Sequence, residues 1–160
     1  MKGFGDLYKS KKINNKNKKP SKEKLINQAF QFHAKGNISE AIKYYQQVIN
    51  EGCNDHRVFS NYGVILQDQN ELNKAEMSYR KAIELNPNFA NAYLNLGNLL
   101  RDLGKLQEAE MSYRKTIELE PDFSDAYSNL GIILMDLGKS QEAEMSYRKA
   151  IELNPNFANA

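Results

Sequence analysis

The chain has 160 residues, of which 41% are hydrophobic and 26% are charged, and its formal net charge is +2. No apolar run approaches the roughly 18 residues of a membrane-spanning helix, and no secretory signal follows the N-terminal lysines. A single cysteine, Cys53, excludes an internal disulfide, so the composition predicts a soluble, cytoplasmic protein.

The small net charge conceals a basic N-terminal segment. Residues 1–24 contain nine lysines and two acidic residues, whereas residues 25–160 contain 13 basic and 18 acidic residues. Residues 1–21 also lack periodic apolar residues, which predicts a disordered N-terminal arm. Its lysines could contact nucleic acid or an anionic membrane. Because the arm has no arginine and precedes an acidic region, we expect instead a solvating or tethering role.

A 34-residue repeat dominates the rest of the chain. Residues 75–92 (AEMSYRKAIELNPNFANA) recur without change at 143–160, and a close copy occupies 109–126. A fixed period of this size is typical of solenoids built by stacking one small helical unit. The repeats align as four units and the start of a fifth, at 22–55, 56–89, 90–123, 124–157 and 158–160.

Each unit is predicted to form two amphipathic helices. In the third unit, apolar residues at helical spacing extend from Tyr93 to Leu103, and a second stripe extends from Ala109 to Leu119. Gly104 lies between them, where a glycine readily adopts the left-handed conformation that closes a helix. The second helix should end before Pro121, because the residue that precedes a proline disfavours the helical conformation.

Small residues recur where the two helices of a unit should approach each other. A glycine in the middle of a helix costs about 1 kcal/mol relative to alanine, so close packing of Gly97 against Ala109 would explain its presence. The same pair recurs in two other units, as Gly63 with Ala75 and as Gly131 with Ala143.

The pattern of Tyr93, Leu96-Gly97, Ala109, Tyr113 and Pro121 resembles the tetratricopeptide repeat (TPR) consensus, with tyrosine in place of the usual leading tryptophan. The resemblance covers residues 22–157. It implies an all-α, right-handed superhelical solenoid in which the first helix of each unit lines a concave groove. The sequences at 95–98 and 108–110 are also similar to bacterial TPR arrays and to the TPR region of O-linked N-acetylglucosamine transferases.

The resemblance places one asparagine of every unit in that groove, namely Asn27, Asn61, Asn95 and Asn129. An asparagine side chain both donates and accepts hydrogen bonds, so this row could hold an extended peptide backbone without reading its sequence. The alternative is that each asparagine bonds to adjacent helices and stiffens the array. Neighbouring groove positions are predicted to be Arg57, Ser60, Asn91, Leu94, Asn98, Arg101, Asp125, Ser128 and Ile132.

Nothing in the sequence predicts catalysis, a metal or another cofactor. Cys53 and His56 are close together, but a closed zinc site needs four ligands and no second pair is present. Recurring glutamates such as Glu110 are expected to be solvated ion-pair partners of the arginine four residues later. We therefore expect a binding protein, not an enzyme, with a protein or peptide partner and no small-molecule substrate.

Three functions remain open. The first is a protein-interaction scaffold that binds an extended peptide in the concave groove. The second is the substrate-recruiting arm of a larger glycosyltransferase or other transferase, since the chain stops three residues into a fifth unit and is expected to be a fragment of a longer array. The third is a structural unit that self-associates through the uncapped C-terminal helix, around Tyr147, Ile151, Leu153 and Phe157.

Overall fold

The structure is a computed structural model that describes residues 20–155. That range contains eight α-helices arranged as four consecutive pairs, here called units 1 to 4, each with a first (A) helix and a second (B) helix. The helices are α1 (Lys22–Ala34), α2 (Ile38–Asn50), α3 (His56–Asp68), α4 (Leu72–Leu85), α5 (Ala90–Asp102), α6 (Leu106–Leu119), α7 (Ser124–Asp136) and α8 (Ser140–Leu153). The predicted all-α repeat array is confirmed. Residues 1–19 of the predicted basic arm and the predicted fifth unit at 158–160 lie outside the described residues.

Each A helix passes to its B helix through a tight turn with one left-handed residue. In unit 3 this residue is Gly104, at φ +71°, as predicted. The amide N–H of Lys105 then donates to the carbonyl of Leu100 at 2.8 Å, which satisfies a carbonyl that the helix end would otherwise leave without a partner. Unit 2 uses Asn70 instead, at φ 61°, and asparagine is a non-glycine residue that tolerates this conformation.

The core of each unit is built around a tyrosine of the B helix. In unit 3, Leu96, Leu99 and Leu100 are buried together with Ala109 and Tyr113, so the predicted apolar spacing is confirmed. Tyr113 is completely buried, as are Tyr45 of unit 1 and, to 1% exposure, Tyr79 of unit 2.

The side chain nearest to Gly97 is one that the spacing did not predict, Tyr113 of the second helix. A Cβ atom placed on Gly97 would lie 2.7 Å from Cε1 of Tyr113, and its three nearest neighbours all belong to that ring. The tyrosine ring therefore lies directly against the backbone of the A helix, and a bulky side chain at this position would occupy the space of the ring. Gly63 with Tyr79 and Gly131 with Tyr147 repeat the contact, at 2.6 Å in each case.

The stacking of units brings their A helices closer together than their B helices. Helix α5 contacts both α3 and α7, whereas the B helices approach one another much less closely. Because the A helices of successive units lie closer together than the B helices, the array curves with its A helices on the inner face, which we call the inner groove. The B helices form the outer face.

Ion pairs join consecutive units on the B-helix side. The Glu110 carboxylate forms ion pairs with Arg114 of its own helix at 3.0 Å and with Lys139 of the next unit at 2.8 Å. Arg114 also forms an ion pair with Glu142 of the next unit at 2.6 Å. Glu76 makes the equivalent contacts one unit earlier. The expectation that these glutamates are solvated is wrong for both, because only 17% of the Glu76 side chain and 11% of the Glu110 side chain are exposed.

Replacement of Glu110 by glutamine should lower the free energy of unfolding by about 1–2 kcal/mol, because two charge-assisted hydrogen bonds between units are lost. Burial by itself raises the pKa of the Glu110 carboxyl, but the hydrogen bonds from Lys139 and Arg114 outweigh it and hold the pKa below its ordinary value of 4.5. The stabilisation that ionised Glu110 provides should therefore be complete above about pH 5. It should disappear as the pH falls through the lowered pKa. Urea unfolding followed by circular dichroism would measure it.

Glu144 provides the matched control, since it lies in the same sequence context in unit 4. Its side chain is 63% exposed and pairs with Arg148 alone among the described residues. Glu144→Gln should change stability by less than about 0.5 kcal/mol. Equal losses from the two substitutions would show that the bonds between units contribute nothing.

Candidate functional site

Three contacts between consecutive A helices define the floor of the inner groove. The guanidinium of Arg57 lies over the ring of Phe30, 5.4 Å from its centre. Gln67 of α3 donates to Asp102 of α5 at 3.3 Å, and α7 contributes the third contact through an asparagine described below. Of the predicted groove positions, Arg57, Asn98 and Asn129 take part in these contacts.

Exposure separates the predicted groove residues into three groups. Asn27, Arg57, Asn91, Asp125 and Ile132 are exposed, and Asn61, Leu94, Asn95, Asn98, Arg101, Ser128 and Asn129 are half-buried. The prediction is wrong for Ser60, which is 3% exposed and belongs to the core. Its counterparts Leu94 and Ser128 are open to the groove, so this position differs between units.

The asparagine row has a structural role at two of its positions. The amide of Asn129 donates to the side-chain oxygen of Asn98 at 3.0 Å, and the Tyr113 hydroxyl donates to the same oxygen at 2.9 Å. Units 3 and 4 are thus connected through the Asn98 oxygen, which also accepts from a core tyrosine of its own unit. In unit 1, the Tyr45 hydroxyl lies 3.1 Å from Nδ1 of His33 and also bonds to Asn61 of unit 2.

The sequence did not predict that these tyrosine hydroxyls lie beneath the groove, although the tyrosines recur at the 34-residue spacing. Burial raises the pKa of Tyr45 to about 12, an effect that the hydrogen bond to Asn61 reduces. Burial likewise raises the pKa of Tyr113 to about 12. The hydroxyls therefore stay protonated at neutral pH and act as fixed hydrogen-bonding groups beneath the groove.

Several polar groups of the groove remain unused within residues 20–155. The side chains of Asn91 and Asn95 make no hydrogen bond there, and Asn98 uses only its oxygen while Asn129 uses only its amide nitrogen. The two groove arginines are less available, because Arg57 pairs with Asp55 at 2.6 Å and Arg101 with Asp102 at 3.2 Å. Apart from the exposed carboxylate of Asp125, the groove thus offers mainly neutral amides.

The part of the chain that the structure describes contains no group of three or more histidine, cysteine, aspartate or glutamate side chains arranged to hold a metal ion. Within the same range, no helix has both the length and the apolar character needed to cross a bilayer.

Comparison with known proteins places this arrangement in a family. The family model of the Cilia and flagella-associated protein 70 middle TPR-like domain matches residues 25–125, and the Tetratricopeptide repeat model matches residues 124–157. The chain belongs to the tetratricopeptide repeat family. A comparison of this TPR protein with curated protein sequences gives no match.

Solved structures share the fold. A crystal structure of MamA is 25% identical to this TPR protein, with a TM-score of 0.79 over 87% of this chain and 81% of the other. YrrB, described as a TPR protein with an unusual peptide-binding site, is 23% identical with a TM-score of 0.74 over 84% and 70%. PilF of Pseudomonas aeruginosa is 22% identical with a TM-score of 0.74 over 84% and 62%. Family and fold together indicate a protein-interaction scaffold, a class that is typically non-catalytic.

Proposed function

We propose that this TPR protein binds an extended peptide segment of a partner protein along the inner groove. The observation that supports it most is the pair formed by Asn98 and Asn129. Their mutual hydrogen bond uses one group of each side chain, which leaves amide hydrogens on Asn98 and an acceptor oxygen on Asn129. A peptide backbone presents carbonyl and N–H groups in alternation, so it can accept from the first and donate to the second.

The neighbouring residues suit the same ligand. Asn91 and Asn95 can donate and accept, and Leu94 with the exposed Ile132 and Met135 offers apolar contact for side chains. Because the arginines of the groove are paired, recognition would rest on the peptide backbone and on apolar side chains. Binding should accordingly depend only weakly on salt.

Peptides selected from a random library on the full chain would test the proposal. Replacement of both Asn91 and Asn95 by alanine should lower the affinity for the selected peptides by about three- to tenfold per lost hydrogen bond. These two asparagines are suitable targets because neither holds a neighbouring helix. A variant that also removed Asn61 and Asn129 would lose hydrogen bonds between units, so a loss of affinity could reflect altered packing instead of lost peptide contacts. Binding can be measured by isothermal titration calorimetry.

Two controls make the result specific. Met111→Ala, on the outer face, should leave peptide affinity unchanged. Methylation of successive backbone nitrogens of a selected peptide should abolish binding, whereas replacement of its polar side chains should have little effect. Equal affinity for the wild type and the Asn91/Asn95 variant, or indifference to backbone methylation, would contradict the proposed groove.

Unit 1 argues against end-to-end stacking of copies as the main function. In units 3 and 4 the A helix presents Leu96 and Leu130 to the preceding unit, whereas unit 1 has Gln28 at this position and an exposed Lys24 beside it. A polar face of this kind suits a terminal unit. The transferase-arm hypothesis and the cytoplasmic location stay predictions from the sequence.

A further inference from the structure

Two equivalent clefts open on the outer face, between consecutive B helices. The first lies between α4 and α6 above α5 and has a cavity volume of about 740 Å³. The second lies between α6 and α8 above α7 and has a volume of about 710 Å³. Their floors are apolar, formed by Leu96 and Leu100 in the first and by Leu130 and Leu134 in the second.

The charges around these clefts already have partners. Arg80 bonds to Glu108 across the first cleft at 3.0 Å, and Arg114 bonds to Glu142 across the second at 2.6 Å. At the other end of the first cleft, Lys115 pairs with Glu118 at 2.6 Å. A charged ligand would have to break these pairs, so the clefts suit uncharged, apolar side chains.

The outer face itself carries such side chains at the right spacing. Met77, Met111 and Met145 occupy the same position of three successive B helices and are 72%, 71% and 72% exposed. Methionine adapts readily to irregular cavities and is common at binding surfaces. Met111 and Met145 each stand at the edge of the cleft that precedes them, so protruding methionines and apolar clefts follow one another along this face with a single period.

We propose that the outer face binds the outer face of a second copy of this chain, with the methionines of each copy inserted into the clefts of the other. A two-fold axis parallel to the B helices reverses the order of units. It then places Met111 in the partner's α6–α8 cleft and Met145 in the partner's α4–α6 cleft. The contact is self-complementary, as a two-fold interface requires, because ridges and clefts share the 34-residue period. A surface without that period could fill only one cleft.

Unit 2 has a larger side chain at the floor position of these clefts. Tyr62 stands where units 3 and 4 have Leu96 and Leu130; its hydroxyl accepts a hydrogen bond from Gln46 at 3.1 Å, and its ring lies 5.9 Å from that of Tyr45. Leu96→Tyr combined with Arg80→Gln would place the same pair of side chains in the first cleft and should fill part of it; we call this pair of substitutions the closure variant.

The test is sedimentation velocity on the full chain from micromolar to near-millimolar concentration. The wild type should form a reversible dimer. Replacement of both Met111 and Met145 by glutamate should raise the dimer dissociation constant by about a hundredfold or more, because apolar burial is replaced by buried charge. The closure variant, Leu96→Tyr with Arg80→Gln, should also weaken the dimer, provided that circular dichroism shows an unchanged helix content.

Met135→Glu is the matched control, since Met135 is 50% exposed but lies on an A helix. It should leave the dimer intact. A wild type that is monomeric throughout would overturn the proposal, as would a dimer that persists in the Met111/Met145 variant. Dissociation by Met135→Glu would overturn it too, because it would place self-association in the inner groove.

Discussion

Replacement of Gly97 by leucine should lower the free energy of unfolding by about 3 kcal/mol. A Cβ atom at this position would lie 2.7 Å from one ring carbon of Tyr113 and 2.9 Å from another. The ring is fully buried and cannot turn aside without displacing its neighbours, so the added side chain forces overpacking. Urea unfolding monitored by circular dichroism would measure the loss.

A double substitution identifies the cause. Tyr113→Ala alone should destabilise by about 3–5 kcal/mol through the cavity that it leaves. Combined with Gly97→Leu, it should cost less than the sum of the two single changes, because the leucine enters the space vacated by the ring. If the losses of the two single substitutions were strictly additive, contact with the Tyr113 ring would not be the reason for the glycine. Gly97→Ala should be milder, since unit 1 accommodates Ala29 at the equivalent position.

Alkaline pH should unfold the array through its buried tyrosines. Burial raises the pKa of Tyr45 and Tyr113 to about 12 and also raises that of Tyr79 above its ordinary value of 10. Above pH 10 the unfolded chain loses these protons while the folded chain retains them, so stability is complete below pH 10 and falls as the pH rises. Together, the three tyrosines should lower the free energy of unfolding by about 4 kcal/mol between pH 9 and pH 11.

Urea unfolding at a series of pH values would measure this effect. Tyr79→Phe should reduce the alkaline loss by about one third, because it removes one of three ionisable groups. An alkaline loss of the same size in Tyr79→Phe would show that other groups, such as lysines, are responsible.

Much of the fold could be predicted because the repeat supplies the same pattern several times. The periodic apolar residues of unit 3 and the turn at Gly104 follow from local rules, and both are confirmed. The partner of Gly97 could not be obtained in this way. Spacing indicates that a small residue is needed, but it does not reveal that the ring of a tyrosine from the second helix lies nearest to it.

The candidate site was harder to predict because near-identical repeats do not distinguish a residue that binds from one that packs. Asn95 and Asn129 occupy the same position of successive units, yet only Asn129 is bonded to an asparagine of the preceding unit. The difference depends on the residue opposite, which is Asn98 for Asn129 and Val64 for Asn95. Likewise, Glu110 becomes buried only because the next unit contributes Lys139, a contact that no single unit encodes.

The ion-pair junctions have a consequence for how such a chain can change length. Unit 2 presents Glu76 and Arg80 to unit 3 in the same way that unit 3 presents Glu110 and Arg114 to unit 4. A recombination event that removed or duplicated one whole unit between them would therefore recreate an intact junction without any compensating mutation. The boundary between units 1 and 2 lacks these pairs and uses Gln46 with Tyr62. Removal or duplication of a whole unit is thus compatible with the junctions among units 2 to 4, whereas the junction between units 1 and 2 is of a different kind.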